Sequence, residues 1–363
     1  MNINDLPVEL LIQIFVNLDI FHWTEILPDV CTSWKSISTS YTPYISKIIA
    51  VVKCTDIVGI EKPINYDNQH RYEIVVSMKN IYKLKHVTKW KLVGPLNDYD
   101  YLIDVIKIIK GRINDIKEII IYSFFGAVTV DFLEEFALLC PNLTSLAIIL
   151  SSSHFYKIPF DKISNFKKLK VFKTDDYSIT DVHMISLSNN ELQEFDIPLS
   201  LSISDQAMTI FLHKQKTHLQ KLVISGYRLT SISFIAISQC HNLTILAVFD
   251  ARHFQVEDVP YIIKLPKLHS ILLQRLTLNK NVLEKFLEDL DNKKTVKFVD
   301  FKFSDAILVL KNKSFRNIKI ILLEKCRKNF SIQFGLKQHH AKRVGTASDI
   351  YCRKKIAAKI QYL

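Results

Sequence analysis

What most constrains the fold of this chain is a period. From residue 84 onward a short grammar recurs: an apolar residue, two positions, a second apolar residue, one position, a third, then a polar stretch and a run with helical spacing. Ten units align on Val87/Trp90/Leu92, Ile116/Ile119/Ile121, Leu143/Leu146/Ile148, Leu169/Phe172/Thr174, Leu192/Phe195/Ile197, Leu219/Leu222/Ile224, Leu243/Leu246/Val248, Leu268/Ile271/Leu273, Val296/Val299/Phe301 and Ile318/Ile321/Leu323. Successive first anchors stand 22 to 29 residues apart. A unit of that length is too small to bury its own apolar side and must stack on its neighbours, so the period predicts a repeat architecture in which contacts run mainly between adjacent units. The alternation of the second and third anchors predicts a short strand with one side turned inward. Runs such as Val130, Phe132, Leu133, Phe136 and Leu139, or Val282, Leu283, Phe286, Leu287 and Leu290, predict the helix that follows. The class is therefore α/β with parallel strands. Thr174 is a polar residue in an apolar slot, and the last two units lack the Asn-Leu pair that opens some of the others.

Two phrases, Cys140-Pro141-Asn142-Leu143 and Cys240-His241-Asn242-Leu243, resemble the cysteine-containing class of leucine-rich repeats. The resemblance implies a horseshoe solenoid over residues 84–325, in which a Cys ends the helix and an Asn-Leu pair opens the next strand. Such thiols read as packing residues, not nucleophiles. Residues 41–83 read as a linker and N-terminal cap, with a β-branched strand around Ile48, Ala50, Val51 and Val52 and a polar loop over 61–73. Residues 326–363 are a basic tail in which Ile350, Ile356, Ala357, Ile360 and Leu363 are amphipathic enough for a terminal helix closing the array.

Side chains alternate along a strand, so residues flanking the inward anchors face the other side of the sheet. That rule selects Ile120, Tyr122, Lys173, Asp175, Asp196, Val223, Phe249 and Leu272 as candidate target-binding residues. Apolar side chains beside charged ones are what a protein-binding groove presents.

The front of the chain follows a different pattern. Pro7 suits a first helical turn, and Asp5 and Glu9 suit the positive end of the helix dipole. Leu10, Leu11, Ile14, Phe15 and Leu18 form one stripe, while Val8, Ile12 and Val16 form a second. A small helical unit can cover one such stripe but has little material to cover both, so a partner is expected. Leu6, Pro7, Glu9, Leu10, Leu11, Ile14, Phe15 and Leu18, followed by Val30, Cys31 and Trp34, resemble the F-box. The resemblance covers residues 1–40. It implies that Leu6, Pro7, Leu10, Leu11, Ile14, Phe15, Leu18, Val30, Cys31 and Trp34 contact a Skp-family adaptor, which joins the chain to a cullin-RING ubiquitin ligase.

No chemistry of the chain's own is expected. There is no phosphate-binding Gly loop, no His-Glu-x-x-His and no Gly-x-Ser-x-Gly, and the six cysteines include no Cys-x-x-Cys pair. The chain reads as a non-enzyme without cofactor or metal. Scattered thiols, no basic-then-apolar leader and no long apolar run predict a cytoplasmic or nuclear protein with no membrane partner. The formal charge of +12 comes from 48 basic residues spread among 36 acidic ones. Spread in that way they read as solvated surface, and nucleic acid is not an expected partner. The functional expectation is a substrate-recognition subunit of an SCF-type ligase. The alternatives are a Skp-bound scaffold or decoy that delivers nothing for degradation, and a basic repeat protein that binds nucleic acid.

Overall fold

The computed structural model describes residues 3–15, 27–40, 48–53, 72–76, 87–93, 99–112, 116–122, 128–150, 158–274, 285–286, 288–290, 298–302 and 319–320. The chain divides into two units, Met1–Leu146 with Ser151–Tyr156, and Ala147–Leu150 with Lys157–Leu363.

The first unit begins with helices α1 (Val8–Phe15), α2 (Leu27–Val30) and α3 (Thr32–Ser40). Pro7 accepts the amides of Leu10 and Leu11 at 3.0 and 3.1 Å, so the proline starts α1 as its lack of an N–H suggests. Strands β1 (Ile48–Lys53), β2 (Tyr72–Val76) and β3 (Lys89–Val93) follow, then α4 (Tyr99–Arg112), β4 (Glu118–Tyr122) and α5 (Val130–Leu139). The sheet is parallel and ordered β2-β1-β3-β4. Residues 41–83 thus contribute two strands. The second of them lies on the outer side of the first, out of chain order, and starts at Tyr72 inside the stretch read as a polar loop. Trp90 is wholly buried, and its indole N–H donates to the Val87 carbonyl at 2.9 Å. That bond removes the cost of enclosing the ring's one polar atom.

Strand β5 (Ser145–Ile149) is where the division between the units falls. The second unit opens with a 3-10 turn at Phe160–Asn165 and continues with β6 (Val171–Thr174), α6 (Asp181–Leu187), β7 (Glu194–Ile197), α7 (Asp205–Gln215) and β8 (Lys221–Ser225). After these come α8 (Ser231–Ser238), β9 (Ile245–Phe249), α9 (Val259–Ile263), β10 (Ser270–Gln274), β11 (Phe298–Lys302) and β12 (Lys319–Ile320). Strands β6 to β12 are neighbours in chain order. The second anchors lie opposite one another, Phe172 by Phe195, Leu222, Leu246, Ile271 and Val299, and each pair is parallel.

From Val87 to Leu273 no anchor is more than 3% exposed. Each fully buried Leu, Ile or Phe contributes about 1.5–3 kcal/mol, so this repeated row is the main source of cohesion within each unit. In the second unit it carries an aromatic ladder. Ring centroids are 5.9 Å apart for Phe160 and Phe172, 6.2 Å for Phe172 and Phe195, and 4.5 Å for Phe195 and Phe211. Thr174 keeps its apolar slot because its hydroxyl accepts the Asp176 amide at 3.1 Å. The triplet members Val296, Ile318, Ile321 and Leu323 and the tail 326–363 lie outside the described residues.

Polar bonds then tie each turn of the second unit to the next. Asp181 accepts the amide and hydroxyl of Ser204 at 2.8 and 2.7 Å, and Asp205 accepts those of Thr230 at 2.9 and 2.7 Å. Ser204 and Thr230 are themselves the N-caps of α7 and α8, so one carboxylate fixes the start of the following helix. At the opposite helix ends, buried Gln215 donates to the carbonyls of Ser188 and Asn190 at 3.0 and 2.6 Å and accepts the Leu192 amide at 2.9 Å. Asn242 donates to the Thr217 carbonyl at 2.7 Å.

Candidate protein-binding surfaces

Helix α1 divides its apolar side chains between two tasks. Leu11 and Phe15 are buried with Leu27 and Ile37, and Leu6 and Trp34 pack against that cluster. The Phe15 and Trp34 rings meet at 4.7 Å. The other residues point away from the cluster: Val8, Leu10 and Ile14 are 50%, 44% and 40% exposed, and Val30 of α2 is 49% exposed. Pro7 is exposed and Cys31 half-buried. The stripe read as Leu10, Leu11, Ile14, Phe15 and Leu18 is therefore two surfaces. Leu11 and Phe15 hold the helices together, and Leu10 and Ile14, one turn apart, face solvent. An apolar surface on so short a helix stays a liability unless something covers it. Leu18 and Val16 lie outside the described residues.

The outward row of the second unit is as the alternation predicts: Lys173, Asp196, Val223, Ala247 and Leu272 stand opposite one another across β6 to β10. Its accessibility is not. Val223, Ala247, Phe249 and Leu272 form one closed cluster, none of the four more than 3% exposed, and half-buried Ile245 packs against it. Asp196, Val223, Phe249 and Leu272, selected for an open groove, are buried. Alternation specifies which side of a sheet a residue occupies but says nothing about whether that side is covered.

Charge gathers at the β6–β8 end of this row. The Lys173 ammonium is 2.8 Å from the Glu194 carboxylate, and Lys221 is 3.8 Å from that of Asp196. Burial pushes the Asp196 carboxyl up to about 6, against the opposing pull of Lys221 and Lys173. Asp175 accepts the Leu150 amide at 2.6 Å, so it is tied to the preceding turn. In the first unit Ile120 and Tyr122 are half-buried on the outward side of β4, and the Lys91 ammonium lies 5.6 Å from the Tyr122 ring centroid.

The two thiols of the repeat phrases are buried, and burial raises each to about 12. A thiol so far from ionisation is a poor nucleophile or metal ligand. Among the described residues no group of three His, Cys, Asp or Glu side chains has metal-holding geometry, and no helix is long and apolar enough to cross a membrane.

Sequence reasoning missed the aspartate links between turns. The dipeptides Thr180-Asp181 and Ser204-Asp205 recur at the repeat period and were the available signal.

No family model matches the chain, and no curated protein matches it. Among solved structures, a protein from Bacteroides fragilis is similar over 67% of this chain and 68% of its own, at 16% identity and a TM-score of 0.38. The yeast Rad7–Elc1 complex contains a chain similar over 68% of this one and 84% of its own, at 15% identity and a TM-score of 0.36. A chain of the Drosophila Toll–Spatzle complex is similar over 64% of this one and 30% of its own, at 12% identity and a TM-score of 0.38. Likenesses of this strength say nothing about what the chain does.

Proposed function

We propose that this chain is a substrate-recognition subunit of an SCF-type cullin-RING ubiquitin ligase. Its N-terminal helices bind a Skp-family adaptor, its repeats hold the target, and it performs no catalysis itself. The observation that carries this reading is the division of α1. Leu11 and Phe15 close the helical cluster, while Val8, Leu10 and Ile14 leave a second apolar surface uncovered on the same eight-residue helix. The motif that resembles the F-box supplies both halves. An internal core alone would need only Leu11 and Phe15.

The test is co-purification of the full chain with a Skp-family adaptor. The double change Leu10→Ala with Ile14→Ala removes side chains that are exposed in the free chain, so thermal unfolding should be nearly unaltered. Losing two large apolar contacts at about 2 kcal/mol or more each should weaken adaptor binding by well over a hundredfold. Leu11→Ala is the contrasting variant, since it should destabilise the helical cluster itself. Full adaptor binding by the Leu10/Ile14 variant would remove the support for this reading.

A further inference from the structure

In sequence the basic residues of the second unit are interspersed with acidic ones, but the fold gathers seven of the lysines at one edge. Each turn of the repeat has one loop leading from helix into strand and another leading from strand into helix. The loops that lead into strands carry the lysines. Lys167, Lys168 and Lys170 precede β6, Lys214 and Lys216 precede β8, Lys264 and Lys267 precede β10, and all are exposed. His213 and His241 add exposed imidazoles at the same level of their turns; the acids at this level among the described residues include Glu191 before β7 and Glu288 and Asp289 before β11. The stretches that leave the strands hold most of the carboxylates instead: Asp175 and Asp176 after β6, Asp205 at the start of α7, and Asp250 after β9; Arg228 and Arg252 also lie on this side, the second paired with Asp250.

Helix dipoles account for part of this separation, since cations are favoured at C-termini. They do not account for Lys168 and Lys170, which lie beyond the 3-10 turn and its cap, or for Lys267, four residues past the last helical residue. Several of these ammonium groups are also positioned by uncharged oxygens. Lys214 donates to the side-chain oxygen of Asn189 at 3.0 Å, Lys267 to that of Asn242 at 2.7 Å, and Lys167 to the Ser164 carbonyl at 3.1 Å. Each of the first two bonds reaches back to the preceding turn, so the charges are set at the repeat's own pitch without being neutralised by those partners.

We infer that this edge is a binding surface for the phosphate backbone of a nucleic acid. Strands in a sheet are about 4.8 Å apart, so the lysines from β6 to β10 form a row about 19 Å long. At about 3.4 Å of axial rise per phosphate, such a row spans the rise of roughly five or six phosphates of one strand, of which those on the near side meet the lysines. Recognition should be independent of sequence, because the loops on this edge expose lysine, histidine and amide groups but no large apolar or aromatic side chain for stacking or base contact. An acidic protein segment would need apolar contacts to be held specifically, and an anionic membrane would favour apolar residues that insert; this edge offers neither. The inference stands apart from adaptor binding and would survive the failure of that reading.

The experiment measures anisotropy of a labelled 20-base-pair DNA duplex with the full chain at several salt concentrations. Two variants are compared: Lys167→Gln/Lys216→Gln/Lys267→Gln on the edge, and Lys35→Gln/Arg228→Gln/Lys285→Gln, which removes the same charge elsewhere. The unaltered chain should bind at about micromolar strength in roughly 50 mM salt, with an affinity that falls as salt rises. The edge variant should lose about tenfold or more in affinity and about 2 to 3 from the magnitude of the log–log salt slope, while the second variant keeps both nearly unchanged. Equal losses in the two variants would mean that net charge, not this edge, binds the duplex, and would overturn the inference. So would the absence of binding at low salt. Poly-glutamate or phosphatidylserine vesicles held more tightly than the duplex by the same lysines would reassign the edge to an acidic protein or a membrane surface.

Discussion

Asp196 and Asp205 stand one turn apart and respond to pH in opposite directions. Burial dominates at Asp196 and raises its carboxyl to about 6, although Lys221 and Lys173 oppose the shift. At Asp205 burial also pushes upward, but hydrogen bonds from Ser233 and Thr230 outweigh it and leave the carboxyl below its usual value. The signs for stability follow. Asp196 favours the folded state most when protonated, below about 4, and that contribution is lost as pH rises through about 6. Asp205 favours it when ionised, and that contribution is lost only as pH falls through its lowered folded value. Asp196→Asn should therefore gain on the native chain, by on the order of 2 kcal/mol, as the pH is taken from about 4 to 7. Urea unfolding of both proteins at the two pH values checks this, and a pH-independent difference would show that the carboxyl is not held out of water. Neither behaviour was legible in the sequence, where both residues are simply acids beside apolar positions. What separates them is whether hydrogen-bond donors meet the carboxylate, as at Asp205, or it is enclosed away from water with its lysine 3.8 Å off, as at Asp196.

The helix ends show what the elements contribute. Cys140 follows α5 and Cys240 follows α8 by two residues; each carbonyl accepts the amide of the leucine three positions on, at 3.1 and 3.0 Å, and so turns the chain into its next strand. This is the role that the Cys-x-Asn-Leu phrase predicts, and burial holds both thiols near 12. Peptide mapping after iodoacetamide treatment of the folded chain at pH 8 should find Cys140 and Cys240 unmodified and half-buried Cys31 modified. Unfolding in denaturant should expose all three. Replacing Cys240 with Ser should cost about 1–3 kcal/mol, because a hydroxyl is harder to enclose than a thiol. Rapid labelling of either repeat cysteine in the folded state would show that its turn opens readily. Strand and helix placement was largely readable, since period and alternation are local properties. The assignment of α1 was not: Leu10 and Leu11 are adjacent and equally apolar, and only the packing of α2 and α3 against one flank decides which is core.

Each unit depends on neighbour contacts, and their range can be measured. Phe172 and Phe195 stack across adjacent turns at 6.2 Å, whereas Phe172 and Phe234 belong to turns that are not adjacent. In double-mutant cycles with Phe→Leu changes, the first pair should couple by about 0.5 kcal/mol or more, and the second should be additive within about 0.5 kcal/mol. Strong coupling of the distant pair would mean that the second unit does not behave as a stack of turns. The sequence by itself determined the parallel α/β repeat, the buried anchors and the ends of the helices, because each of these follows from spacing within one turn or between neighbours. Three features were decided only in three dimensions. β2 pairs with the outer side of β1, which no local pattern encodes. Val223, Phe249 and Leu272 lie in a closed cluster, because exposure depends on what lies over a sheet and not on which side a residue occupies. Seven lysines of the second unit share one edge, because the repeat returns the chain to the same level once per turn and brings residues some twenty to thirty positions apart into a single row.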